Sequence, residues 1–183
     1  MATNALKQIT TLENPVLRAE FIKLIAQDQA LIHKVCSMYC RNPEERKDLF
    51  QEIVLQLWRS YPTFKHESKV STWMYRVALN TAVSSFRKES RRPQHGSLDD
   101  MDLQIPAAPD TSAEYELKIK YLYTAINQLS QVEKAIVMLY LEEKSYDEIA
   151  EIIGITKNNV GVKLNRIKAK LEKLLTPVYN ELR

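Results

Sequence analysis

Counting about 100° of helix per residue, Trp73, Arg76, Asn80, Ser84, Arg87 and Arg91 fall in one narrow stripe. The residues beside that stripe, from Met74 and Val77 to Val83 and Phe86, are apolar or small. Guanidiniums make charge-assisted contacts to phosphate, and with an aromatic ring they form a platform for bases drawn out of a stack. The competing reading is that Trp73 closes the edge of a core and the arginines are solvated. Just before the stripe, Phe64-Lys-His-Glu-Ser-Lys-Val70 mixes aromatic and basic residues in a loop. A second basic element runs from Lys157 to Lys173, with six basic residues and one acidic residue, Glu172. Its Asn and Lys side chains suit base edges in a major groove, and its later lysines suit phosphates.

A third constellation would serve other chemistry. His33, Cys36 and Cys40 stand at i, i+3 and i+7 on one helix and could contribute to a zinc site, but the sequence offers no evident fourth ligand. A buried or partly buried pair of thiols is the better account of the cysteines. No acid/base pair with a nucleophile or phosphate loop is evident, so no intrinsic catalysis and no cofactor are expected.

The elements that must position these groups are helical. The chain has 183 residues, three Gly, two Cys and 45% hydrophobic residues. That composition supports compact cores, excludes wholesale disorder and gives no disulfide framework. No run of about 18 apolar residues and no signal-peptide pattern occurs, so the expectation is a cytoplasmic protein without membrane insertion. The net charge of +3 conceals an asymmetry. Residues 1–95 carry 15 Lys/Arg and 9 Asp/Glu, residues 96–116 carry none and 6, and residues 117–183 carry 11 and 8. The middle segment, with Gly96, Pro106 and Pro109, reads as a linker.

In the first half, Asn14 with Pro15 and Asn42 with Pro43 and Glu45 are helix starts. Phe21, Leu24, Ile25, Leu31, Ile32, Val35 and Tyr39 form one apolar face, with a break expected near Asp28. Leu49, Phe50, Ile53, Val54, Leu57 and Trp58 form the core face of the next helix. Periodicity alone assigns the opposite face, with Asp48, Gln51, Glu52 and Gln56, to solvent. Pro62 ends that helix, and Ser71 is the expected N-cap of the stripe-bearing helix, which should run to about Arg91.

In the second half, Ser130 with Glu133 and Ser145 with Glu148 fit the capping box, and Thr156 opens the last long helix after a turn at Gly154. A short helix, a turn and a longer basic helix make a helix-turn-helix. Val160, Leu164, Ile167, Leu171 and Leu174 are its expected core face, and Gly161 within it either permits close approach to DNA or is merely tolerated. The expected fold is therefore all-α: two small helical bundles joined by a flexible acidic linker, the second containing the helix-turn-helix.

The order of motifs resembles the bacterial RNA polymerase sigma factors of the sigma-70 family, specifically the extracytoplasmic-function (ECF) group. The resemblance rests on Asp48-Leu-Phe-Gln-Glu52 with Leu57-Trp58, on Phe64 with Ser71-Thr-Trp-Met-Tyr-Arg-Val-Ala-Leu-Asn80, and on Leu129 through Lys173 with its Ser-Tyr-Asp-Glu-Ile-Ala core. It implies a region 2 domain over 14–94, a linker over 95–112 and a region 4 domain over 113–178. By the same resemblance, Asp48, Gln51 and Glu52 would dock on the clamp helices of the polymerase's largest subunit. Phe64, Lys65, Lys69, Trp73, Arg76, Asn80 and Arg87 would hold the −10 element. Lys157, Asn158, Asn159, Lys163 and Arg166 would read the −35 duplex. Core polymerase, through clamp helices and flap, and promoter DNA are the implied partners, with an anti-sigma factor as a further one. Family members often carry a Gly-Thr pair and an Arg where this chain has Asn158-Asn159 and Lys163, and Lys cannot make the planar bidentate contact of Arg. The alternatives are a stand-alone helix-turn-helix regulator, which leaves the first domain unexplained, and a metal-dependent enzyme using His33, Cys36 and Cys40.

Overall fold

The computed structural model describes residues 15–40, 42–89 and 113–181. Its described elements are seven α-helices and one 3-10 turn: α1 (Pro15–Tyr39), α2 (Pro43–Ser60), the turn Tyr61–Thr63, α3 (Val70–Glu89), α4 (Ala113–Asn127), α5 (Gln131–Leu141), α6 (Tyr146–Ile153) and α7 (Lys157–Glu181). The chain divides into two compact units, Met1–Pro93 and Gln94–Arg183. Residues 95–112, expected as the linker, and with them Asn14 and Arg91, lie outside the described residues, while residues 113–116 of the acidic segment open α4.

In the first unit α1, α2 and α3 pack on one another. Their core contains Phe21, Ile32, Val35, Ile53, Leu57, Met74, Ala78 and Leu79, all buried. The break expected near Asp28 is absent, and α1 is continuous over 25 residues. Asp28 is half-buried seven residues after Phe21. It interrupts the apolar pattern at the edge of the packed face, but nothing around it breaks the backbone. At the start of α2, Asn42 Oδ1 accepts from the Glu45 N–H at 2.8 Å, the bond expected of an N-cap. The expected N-cap of α3 is displaced. Trp73 N–H donates to Lys69 O at 3.1 Å, so the helix opens at Val70 and Ser71 lies inside its first turn.

In the second unit, Ile126, Leu129, Ile136, Leu139, Ile149, Val160, Leu164 and Ile167 fill the core between α4 and α7. Both capping boxes form: Ser130 and Glu133 exchange bonds at the start of α5, and Ser145 and Glu148 do so at the start of α6. Gly154 has φ +79° with open space around a would-be Cβ, so the left-handed turn, rather than crowding, calls for glycine. Thr156 Oγ1 accepts from Asn159 N–H at 3.3 Å, which caps α7 as expected. Leu171 and Leu174, expected in the core, are only half-buried as α7 runs past its support. The helix continues through Pro177, which has no N–H to return to Lys173. No described helix is long and apolar enough to cross a membrane.

Candidate nucleic-acid interface

The residues after the 3-10 turn fold back over the first turn of α3. Phe64 stacks on Trp73 with ring centres 4.7 Å apart and 22° between planes. His66 lies 4.4 Å from Phe64, tilted by 51°, and Tyr61 flanks Trp73 at 6.2 Å. His66 holds φ at 56°, a left-handed conformation that few non-glycine residues adopt and in which His is among the enriched ones. Trp73 is thereby covered and only 8% exposed. The helical stripe expected to carry Trp73 outward is therefore split: Arg76, Asn80, Ser84 and Arg87 are exposed, while Trp73 becomes the floor beneath Phe64. Helical periodicity shows one helix in isolation and carries no sign of a loop that covers its first turn. Lys65 and Lys69 are exposed on the same loop. The result is a preformed pile of rings bordered by cations.

On α2, Asp48, Gln51 and Glu52 are exposed, and Glu52 Oε1 accepts from Gln56 Nε2 at 2.7 Å. The six residues expected as one core face divide in two. Leu49, Ile53 and Leu57 are buried, whereas Phe50, Val54 and Trp58 are half-buried and line a shallow apolar groove with Phe21, Gln51 and Leu55. Leu55, 40% exposed, was not among the sequence candidates. Its signal was an apolar residue outside the helical core period, a few positions from Gln51 and Glu52.

His33 is exposed and stacks on Phe50 at 4.6 Å. Cys36 is 1% exposed, and its burial pushes the thiol up to about 11. Cys40 is half-buried. Among the described residues no three His, Cys, Asp or Glu side chains are placed to hold a metal ion.

On α7, Asn158, Asn159, Val162, Asn165 and Arg166 are exposed, while Lys163 is half-buried. Several lysines brace the fold. Lys157 Nζ meets Asp147 at 2.7 Å across the helix-turn-helix, Lys168 Nζ bonds Tyr140 Oη at 3.1 Å, and Lys170 Nζ reaches Gln128 O at 3.2 Å and Glu133 at 3.6 Å. Hence two of the later lysines expected at phosphates, Lys168 and Lys170, also fasten α7 to α5 and to the turn before it, as Lys157 fastens it to α6. Gly161 is turned toward α6, where an added Cβ would lie 3.6 Å from the Tyr146 ring in ordinary contact. Neither packing nor φ requires glycine there, which favours the second of the two readings, that it is merely tolerated.

Glu133 ties the cap of α5 to this bracing. Partial burial would raise its carboxyl, but the Ser130 N–H and hydroxyl together with Lys170 outweigh that and hold it below the usual value. Its stabilising share is complete above the unfolded glutamate value of about 4.3 and is lost as pH falls through the lower folded value. Thermal unfolding from pH 7 to pH 3 should therefore show a gap between wild type and Glu133→Gln that narrows once pH drops below about 4. A gap unchanged by pH would contradict the role of the charge.

The family model described as Sigma-70 region 2 matches residues 24–92, and that described as Sigma-70, region 4 matches residues 119–171. The chain is 28% identical over 144 residues to an ECF RNA polymerase sigma-E factor of Haemophilus influenzae, covering 72% of this chain and 75% of that protein. It is 25% identical over 158 residues to the ECF RNA polymerase sigma-E factor of Escherichia coli K12, with coverage of 80% and 83%. Among solved structures, the sigma factor RpoE in complex with the anti-sigma factor NepR from Bartonella quintana superposes with a TM-score of 0.67 at 20% identity, over 89% of this chain and 98% of that one. CnrH in complex with the cytosolic domain of CnrY gives 0.64 at 17% identity, over 97% and 99%. These structures share the fold. With two regions of one family matched in chain order and ECF factors aligning across both, the chain belongs to the sigma-70 family of RNA polymerase sigma factors, in its ECF group.

Proposed function

We propose that this sigma factor joins core RNA polymerase, holds the melted −10 element on its first unit and reads the −35 duplex with α7. The observation that carries the reading is the ring pile of Phe64 on Trp73, set among Lys65, Lys69 and Arg76 in the part matched by region 2. A flat aromatic face takes a base of any sequence, and adjacent cations follow the strand. Phe64, Lys65, Lys69, Arg76, Asn80 and Arg87 make the strand contacts, with Trp73 as their support. Lys157, Asn158, Asn159, Lys163 and Arg166 serve the −35 element. Asp48, Gln51 and Glu52, together with the apolar groove beside them, dock on the clamp helices of the largest subunit, and the second unit meets the flap.

In this reading residues 14–94 and 113–178 are the working domains, and the acidic stretch 95–112 threads into polymerase. The protein contributes no bond-making step of its own, because phosphoryl transfer belongs to polymerase, and it works in the cytoplasm where polymerase does. Two relatives of like fold were solved with anti-sigma partners, which supports such a partner here. A stand-alone regulator would leave the region 2 part without a task. The test is a mixture of cognate core enzyme and this protein. The two should elute as one complex and start transcripts at discrete sites that core enzyme ignores, whereas specific DNA binding at paired half-sites without core would favour the regulator.

A further inference from the structure

The stripe of α7 that points furthest from the core is not its basic flank. At about 100° per residue, Asn158, Val162, Asn165 and Ala169 lie opposite Val160, Leu164 and Ile167, which are buried. All four are exposed, and Val162 is 49% so. Single exposed valines are ordinary, but this one lies between two exposed amides just beyond the capped opening of the second helix of a helix-turn-helix. That portion of such a helix enters the major groove. Valine has a lower helix propensity than Ala, Lys or Gln, and Val162, facing away from the core, gains no burial in return. Its stiff, β-branched side chain presents methyl groups in one direction.

In the major groove the apolar feature that distinguishes one base is the C5-methyl of thymine, and the partner for a side-chain amide is the N6/N7 edge of adenine. We propose that Val162 is a specificity-determining residue that packs on a thymine C5-methyl in the −35 element, with Asn158 and Asn165 beside it favouring adenine. The inference rests on the proposed reading of −35 DNA by α7 and deepens it. Lys163, half-buried at the side of the helix, then contributes to affinity more than to base choice.

The test uses holoenzyme assembled from core polymerase and the full chain. Initiation sites are selected from promoters with a randomised −35 element, first with wild type and then with Val162→Ala, an exchange that raises helix propensity and leaves the core untouched. Wild type should fix a T·A pair at a position that Val162→Ala leaves relaxed. Replacing that thymine by deoxyuridine, which removes only the methyl, should weaken wild-type binding about fourfold. It should cost the Val162→Ala holoenzyme nothing further. A wild-type selection without such a T·A pair, or losses that multiply at every thymine, would overturn the role of Val162 while leaving −35 reading intact. Indifference of the wild-type holoenzyme to the whole −35 sequence would overturn both.

Discussion

Phe64→Ala should lower the rate of promoter opening by about 10- to 100-fold, with binding to core polymerase unchanged. Base stacking on an aromatic is worth roughly 1–3 kcal/mol, and a loss of this size, about 1.4–2.7 kcal/mol, falls within that range. Phe64 is half-buried and sits above the unit's core rather than inside it, so its removal uncovers Trp73 without opening a deep cavity. Trp73→Ala is a poorer probe. Removing a buried Trp costs about 3–5 kcal/mol of stability, which would confuse a loss of fold with a loss of stacking. Phe64→Tyr keeps the flat ring and should restore most of the rate, whereas Phe64→Leu keeps apolar bulk and should not. A fluorescent base analogue placed in the −10 element reports opening, and titration of labelled core reports docking. Equal losses in both measurements would mean that Phe64 supports the fold rather than the melted strand.

Reversing Asp48 and Glu52 together to Lys should weaken binding to core polymerase by about 30-fold or more and make the remaining affinity less sensitive to salt. Truncating one partner of a buried, paired interfacial charge costs about 2–5 kcal/mol, whereas rim charges act mainly on association rate and salt dependence. The apolar groove alongside favours the larger effect, because Leu55 and Val54 would exclude water around the docked acids. Leu55→Ser should add to the loss without destabilising the unit, since Leu55 is already 40% exposed. The control is Glu20→Lys, an exposed acid on α1 that does not line the groove, which reverses one charge outside the Asp48 and Glu52 face. Fluorescence anisotropy of labelled protein titrated with core at two salt concentrations separates the cases. An equal effect from Glu20→Lys would reduce the face to bulk electrostatics.

Features set by a few neighbouring residues are legible in the sequence. The caps at Asn42, Ser130, Ser145 and Thr156 and the left-handed Gly154 each depend on a side chain and a backbone group within about three residues, so local sequence suffices. The helix-turn-helix follows from those caps. The α3 stripe was only half legible, because the burial of Trp73 depends on Phe64 folding back from a loop that has no helical period. The groove on α2 was misread for a related reason. Phe50, Val54 and Trp58 carry the right period for a core, but the three-helix unit buries only Leu49, Ile53 and Leu57 of that face and leaves the others at its edge. Asp28 shows the converse, where a polar residue on the packed face of a continuous helix resembles a break. The bracing lysines were hidden because their partners lie as far as 42 residues away in sequence.

In the proposed function this chain makes core polymerase open DNA at a −10 element. Permanganate oxidises unpaired thymines, so the direct measurement is a permanganate footprint of a promoter fragment with core alone, with the protein alone and with both. Reactive thymines should appear across the −10 element only when core and protein are present together, and should be lost with Phe64→Ala. Reactivity with core alone, or a fully paired −10 element when both are bound, would contradict that function.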